Sequence, residues 1–177
     1  MKKLIQLGVM SFFAAALLVT GVAKAQPKPQ ASPRDSVSGK IGEATVSINY
    51  GAPSVRGRKI FGGLQPWDKM WRAGANPATV LTTDKDIKVE GKTLPAGKYT
   101  FFVTPSEKGE WTITINSQTG QWGIKNNGDA NEDPAKDVVV AKVKTKTAPM
   151  TERLKYEITK TGFSLIWETT EVPVKVK

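Results

Sequence analysis

Three of the five arginines and two of the five tryptophans fall between Tyr50 and Asn76, in the stretch YGAPSVRGRKIFGGLQPWDKMWRAGAN. Arg56 and Arg58 flank Gly57. In an extended segment, side chains two apart lie on one side, so the two guanidinium forks can share one carboxylate, phosphate or sulfate. Arg72 follows Trp71. Trp67 and Trp71 are four apart and would share a face on a helical turn, where indole rings stack on sugars or on guanidinium groups. With Tyr50 and Asn76 at its ends, the stretch reads as a cleft with aromatic walls and arginine donors, built for an acidic or sugar-like ligand. A second reading stands beside it. A long loop must satisfy its own backbone, and arginines bonded to carbonyls and stacked on tryptophan would make the loop a plug over one end of the fold.

Two further patterns involve charge. In Asn126–Asp133 (NNGDANED), Asn127, Asp129, Asn131 and Asp133 alternate, and calcium loops use oxygen ligands at such spacing. Glycine is not at the sixth position and the closing Glu is missing, so a polar turn is the stronger reading and no metal site is expected. Lys142, Lys144 and Lys146 share one face of a strand. Lysines commonly guard a sheet edge; the sharper alternative is an electrostatic landing strip for an anionic polymer. Trp122, beside Gly123, reads as core or rim packing.

The composition closes off much chemistry. The chain has no histidine and no cysteine. Ser-His-Asp and Cys-His nucleophile systems are therefore ruled out, as are nearly all zinc, copper and non-haem iron sites. No phosphate-binding glycine loop of the P-loop or Rossmann kind is present, and no cofactor is implied. Paired carboxylates would still permit a glycosidase, but Asp84, Asp86, Glu107, Glu110 and Glu157 fall in turns or on solvent faces. An enzyme is thus the weaker expectation.

The elements that must position these residues are strands. Val46, Ile48 and Tyr50 alternate with Thr45, Ser47 and Asn49, the period of a half-buried strand. Ala78 to Thr82 is a short apolar run. Ile87 and Val89 lead into a turn at Glu90-Gly91-Lys92. Tyr99, Phe101 and Val103 turn at Ser106–Gly109 into Trp111, Ile113 and Ile115. Val139, Ala141 and Val143 alternate, as do Leu154, Tyr156 and Ile158, then Phe163, Leu165 and Trp167 after a turn at Lys160-Thr161-Gly162. Val172, Val174 and Val176 close the chain, and Pro173 marks that last strand as an edge. About nine short strands at this spacing predict a single all-β domain, an antiparallel β-sandwich with a long Arg/Trp-rich loop. One or two helical turns are expected only at Gln65–Ala73, with Pro66 near the start.

The N-terminus reads as an address. Lys2 and Lys3 precede an apolar stretch to Val22, and Ala23-Lys24-Ala25 carries the small residues of a cleavage site. This predicts a signal peptide over 1–25, a disordered Pro-rich lead-in over 26–36, and a sandwich domain over 37–177. The absence of cysteine near the cut excludes a lipoprotein anchor, and no later stretch is apolar enough to span a bilayer. A periplasmic or secreted location follows. The formal charge of +10 drops by three with Lys2, Lys3 and Lys24. Nucleic acid is not an expected partner, because export removes it and the lysines are scattered. Anionic glycan, peptidoglycan or another envelope component fits better, and charge that serves only solubility fits better still. Nothing in the sequence bears on oligomeric state.

The loop also carries a resemblance. Tyr50-Gly51 through Pro53, Arg56-Gly57-Arg58-Lys59-Ile60-Phe61-Gly62-Gly63-Leu64 and Trp71-Arg72-Ala73-Gly74-Ala75-Asn76 come first. Leu94-Pro95-Ala96-Gly97-Lys98-Tyr99, Trp111-Thr112, Gln121-Trp122-Gly123 and Leu165-Ile166-Trp167-Glu168 follow. In this order they resemble the signature of domain of unknown function 2911, a family of exported bacterial proteins, over nearly the whole mature domain. The resemblance implies an all-β fold and a leader but no reaction. It marks Arg56, Arg58, Trp71, Arg72 and Asn76 as hallmark residues, for folding or for function. Where relatives tend to carry Glu after the Asn, this chain has Pro77, which puts any catalytic part for that Glu in doubt here. Three expectations result: a non-catalytic binding module for an anionic or glycan-like ligand, a scaffold with no small-molecule site, and a carboxylate-dependent hydrolase.

Overall fold

The computed structural model of the chain describes residues 31–177. The expected signal peptide and the first part of the lead-in, 26–30, lie outside the described residues. Ten strands run as β1 Arg34–Ile41, β2 Ala44–Gly51, β3 Thr79–Thr83, β4 Ile87–Val89, β5 Lys92–Leu94, β6 Gly97–Thr104, β7 Trp111–Asn116, β8 Asp137–Val143, β9 Lys146–Thr159 and β10 Gly162–Lys175. Six of them form one antiparallel sheet in the order β1-β2-β3-β6-β7-β8, while β9 pairs with β10 and β4 with β5.

Alternation explains the layering. Along β2, Val46, Ile48 and Tyr50 are buried and Asn49 is exposed, so one face of the sheet must be covered. The β9–β10 ribbon covers it. Phe101 of β6 meets Tyr156 of β9 and Phe163 of β10, with ring centroids 6.2 and 5.5 Å apart. The chain is therefore the antiparallel sandwich that the periodicity predicts. With no cysteine, this packing carries the stability, each fully buried large apolar side chain contributing roughly 1.5–3 kcal/mol. The turn at Glu90-Gly91 has positive φ at both residues, 47° and 82°, the geometry that two-residue hairpins favour.

Three local expectations are corrected. The domain starts earlier than the alternation placed it: Arg34, Asp35 and Ser36, read as part of the lead-in, pair with Gly51, Tyr50 and Asn49. β1 is an outer strand with mostly exposed side chains, so it carries no apolar signal. The strands number ten rather than nine, and two of them, β9 and β10, have 14 residues each. Val172 and Val174 are not a separate closing strand but the tail of β10, which continues past irregularities between Ile166 and Glu168 and between Glu168 and Thr170. Pro173 lies beyond Glu171, the last residue of β10 paired with β9, so its missing N–H breaks no ladder bond there.

The third correction concerns Gln65–Ala73, which is not helical; among the described residues the only helix-like element is the 3-10 turn Pro134–Lys136. The Trp71 backbone instead pairs with Val103 of β6, N–H to O at 2.8 Å and O to N–H at 2.9 Å, and Asp68 donates its N–H to Pro105 at 2.8 Å. These tertiary bonds hold the segment, with its turn at Trp67–Asp68, against the edge of β6.

Candidate functional site

The loop after β2 is folded by close contacts and unusual backbone angles. Gly51 lies against the Ala75 carbonyl where a Cβ would stand, and Ala75 returns its N–H to the Gly51 carbonyl at 3.1 Å. Arg56, Asp68, Ala73 and Asn76 all have positive φ, a region that L-residues other than glycine enter at some cost. The surroundings hold them there. The Ala73 carbonyl accepts from the Tyr156 hydroxyl at 2.7 Å and from the Thr79 hydroxyl at 3.0 Å. Burial pushes the Tyr156 phenol well above its ordinary range, so it remains a donor.

The aromatic residues of the loop enter the core. Phe61 packs edge-on against Trp111 at 4.6 Å, and Trp71 stacks on Trp167 at 5.7 Å. Trp71 is 6% exposed and gives its indole N–H to the Gly74 carbonyl at 2.9 Å. Trp67 does not share a face with it, because no helical turn forms; it lies instead 6.3 Å from Trp111. Tyr50, 2% exposed, is a core residue whose ring meets Tyr156 at 4.7 Å. Trp167, fully buried, has an indole N–H without an acceptor among the described residues.

The arginines divide. Arg56 donates to the Ala31 carbonyl at 3.2 Å. Its positive φ and that of Gly57 make a turn, so Arg56 and Arg58 do not line up as in an extended segment. Arg58 gives Nε to Val55 at 3.0 Å and Nη2 to Ser54 at 2.6 Å. Asn76 donates to the Ser32 carbonyl at 2.8 Å. Arg72 is different. One nitrogen, Nη1, donates to the Trp122 carbonyl at 3.0 Å, and the guanidinium carbon lies 5.4 Å from the Trp122 ring centre. Gly123, which passes where a Cβ would come within 2.8 Å of the Arg72 Cβ, lets the neighbouring chain close on it. Burial lowers the Arg72 pKa, yet a guanidinium stays charged at neutral pH.

Beside Arg72 opens a cleft of about 410 Å³. Arg58, Lys69, Arg72, Leu64, Asp129 and Trp167 are among the residues lining it, together with Trp71. Of the residues expected at a site, the cleft thus collects Arg58, Trp71 and Arg72; Tyr50, Arg56, Trp67 and Asn76 lie outside its lining. Lys69, which the sequence reading did not single out, stands 3.4 Å from Asp129. Its only local signal is a place between Trp67 and Trp71.

The Asn/Asp turn contributes to this cleft rather than forming a cage. Asn127 and Asp129 bond each other at 2.8 Å, and both line the cleft. Asp133 instead caps the turn Pro134–Lys136, accepting from the Ala135 N–H at 3.1 Å. Asn131 donates its backbone N–H to Gly123. The four do not converge, and among the described residues no three acids assemble as metal ligands. Nearby, Glu132 is pushed up to about 7, first by burial, then by a hydrogen bond to Asp137 and the charges of Asp137 and Asp133. The buried Asn116 amide donates to the same Asp137 at 2.8 Å.

A family described as "Protein of unknown function (DUF2911)" has a model that matches residues 32–176. The chain belongs to this family. The DUF2911 match begins just ahead of β1 and ends within two residues of the C-terminus, so it spans the whole sandwich, loop and cleft included. No curated protein and no solved structure matches the chain. No helix among the described residues is long and apolar enough to cross a membrane.

Proposed function

We propose that this DUF2911 protein is an exported, non-catalytic binding module whose cleft takes an anionic, glycan-like ligand of the cell envelope. The observation that carries the reading is the meeting of Arg58, Lys69 and Arg72 on one open cleft against a single carboxylate, Asp129, already paired to Lys69. Three cations facing one acid favour an anion. Arg72 keeps donors beyond its bond to Trp122, and a planar fork suits a sugar carboxylate. Trp122, 53% exposed and stacked beside Arg72, offers an indole next to the cleft for a sugar ring. The leader pattern over 1–25 supports export. A lone carboxylate in the cleft is a poor basis for two-carboxylate hydrolysis.

A second reading rests on the carbonyl bonds of Arg56, Arg58 and Asn76, which favour a purely structural loop. Titration with tri-galacturonate at low salt, with maltotriose as neutral control, separates the two. Binding of tri-galacturonate alone, weakened about tenfold by R72K or K69Q with little change in Tm, supports the cleft. Absence of binding, or equal binding by both variants, overturns it in favour of the structural loop. N-terminal sequencing of the periplasmic form, expected to start at Gln26, checks export.

A further inference from the structure

The cleft is one of three hollows bordered by residues of β10, a strand that bends back on itself so that the Ser164 hydroxyl donates to Glu171 at 2.7 Å. Trp167 lines the cleft, Thr169 and Thr170 line a shallow hollow of about 320 Å³ beside Trp67, and Glu171, Val174 and Lys175 line a groove of about 630 Å³. Lys146 borders both the shallow hollow and the groove, and Trp67 directly follows Pro66 of the cleft.

The groove lies between β8, the outer strand of the large sheet, and the end of β10. Its floor is closed: Val143, Phe163 and Val174 are all buried. Lys142, Lys144 and Lys146, where β8 runs into β9, border it together with Lys175 of β10. Among the described residues none of these four is in an ion pair. Two of the three carboxylates present are engaged, Glu171 by the Ser164 hydroxyl at 2.7 Å and Glu90 by the Lys175 backbone N–H at 2.6 Å; Glu110 is exposed. Edge protection accounts for lysine on β8. It does not account for Lys175 on the other layer.

We propose that the three hollows form one track for a linear carboxylated polysaccharide, its carboxylates meeting the groove lysines and one end seated in the Arg58–Arg72 cleft; this rests on the reading of the cleft given above. The exposed large apolar residues, Leu64, Trp122, Val140 and Met150, are absent from the groove lining, so it offers nothing to enter a bilayer. Its one aromatic, Phe163, is buried, so it offers no stacking platform for bases. Threonine hydroxyls at Thr159, Thr161, Thr169 and Thr170 suit a hydroxylated polymer.

The test compares galacturonate trimer and dodecamer on the wild-type protein and on the K142Q/K144Q/K146Q triple variant, with circular dichroism as a folding control. A second hold raises affinity without new contacts at the first. The dodecamer is expected to bind the wild type at least about tenfold tighter than the trimer. The triple variant should bind the trimer unchanged, lose that gain, and show a salt dependence shallower by about 2 in log–log slope. K142R/K144R/K146R should restore it. Wild-type dodecamer binding by the glutamine variant overturns the track and leaves the cleft reading standing. Loss in the glutamine variant with no effect of R72K overturns the track together with the cleft. Equal, equally lysine-dependent binding of an oligothymidylate of matched charge overturns the assignment to a polysaccharide.

Discussion

Trp71 and Trp167 lie face to face, ring centroids 5.7 Å apart and planes 27° apart. The loop is thereby keyed into the ribbon layer, and Arg72, the next residue, is held at a fixed place on the cleft. The tryptophan is the anchor; the arginine beside it is the group presented. The two candidate readings of the loop, plug and site, thus belong to adjacent residues.

The anchor sets a first prediction. W71A should destabilise the fold by about 3–5 kcal/mol, since it empties a buried aromatic site. W122A removes an exposed ring and should cost less than about 1 kcal/mol, its cation–π contact with Arg72 included. Urea denaturation of both variants measures the difference; equal effects would contradict the burial.

Glycine positions give a second contrast. At Gly51 an added methyl meets the Ala75 carbonyl, whereas at Gly57 it meets nothing within 4 Å. G57A should lose only about 1 kcal/mol from its positive φ. G51A should lose about 1–3 kcal/mol from overpacking and also loosen the loop, visible as faster amide exchange at Ala75.

The Tyr156 hydroxyl ties the ribbon to the loop through the Ala73 carbonyl. Y156F removes one donor while Thr79 still serves that carbonyl. The expected loss is about 1 kcal/mol, read as a shift in the urea midpoint at unchanged slope. Y156F with T79V, which strips both donors, should exceed the sum of the single effects.

Glu132 makes stability depend on pH. Its folded pKa, about 7, lies above the ordinary 4.5. The folded chain therefore holds more protons than the unfolded chain between those values, and stability falls as pH rises through that window. Thermal unfolding from pH 4.5 to 8 should show this decline, and E132Q should flatten it. An undiminished slope in E132Q would place the titration elsewhere.

Much of the fold was legible. Alternation at Tyr99–Val103 and Trp111–Ile115, with turn residues between, specified the β6–β7 hairpin, because burial of one face imposes period two on the side chains. β1 was not legible, since an outer strand with exposed side chains shows no such period. The helical turn at Gln65–Ala73 was misread because local spacing is overridden when Trp71 finds a backbone partner in Val103. The arginine cluster was visible. Its division was not, because the nearest acceptor for Arg56, the Ala31 carbonyl, is 25 residues away.

The chain's own residues determined the antiparallel sandwich and the loop rich in Arg and Trp, and its lack of histidine and cysteine ruled out chemistry that depends on an imidazole or a thiol. These follow from composition and from period, which are properties of neighbours along the chain. Only the tertiary structure decided that Trp71 is core, that Arg56 serves the backbone, and that Lys69 meets Asp129 across 60 positions to complete a cationic cleft. The reason is physical: a hydrogen bond or an ion pair depends on distance in space, and two packed layers bring together groups that no local pattern relates.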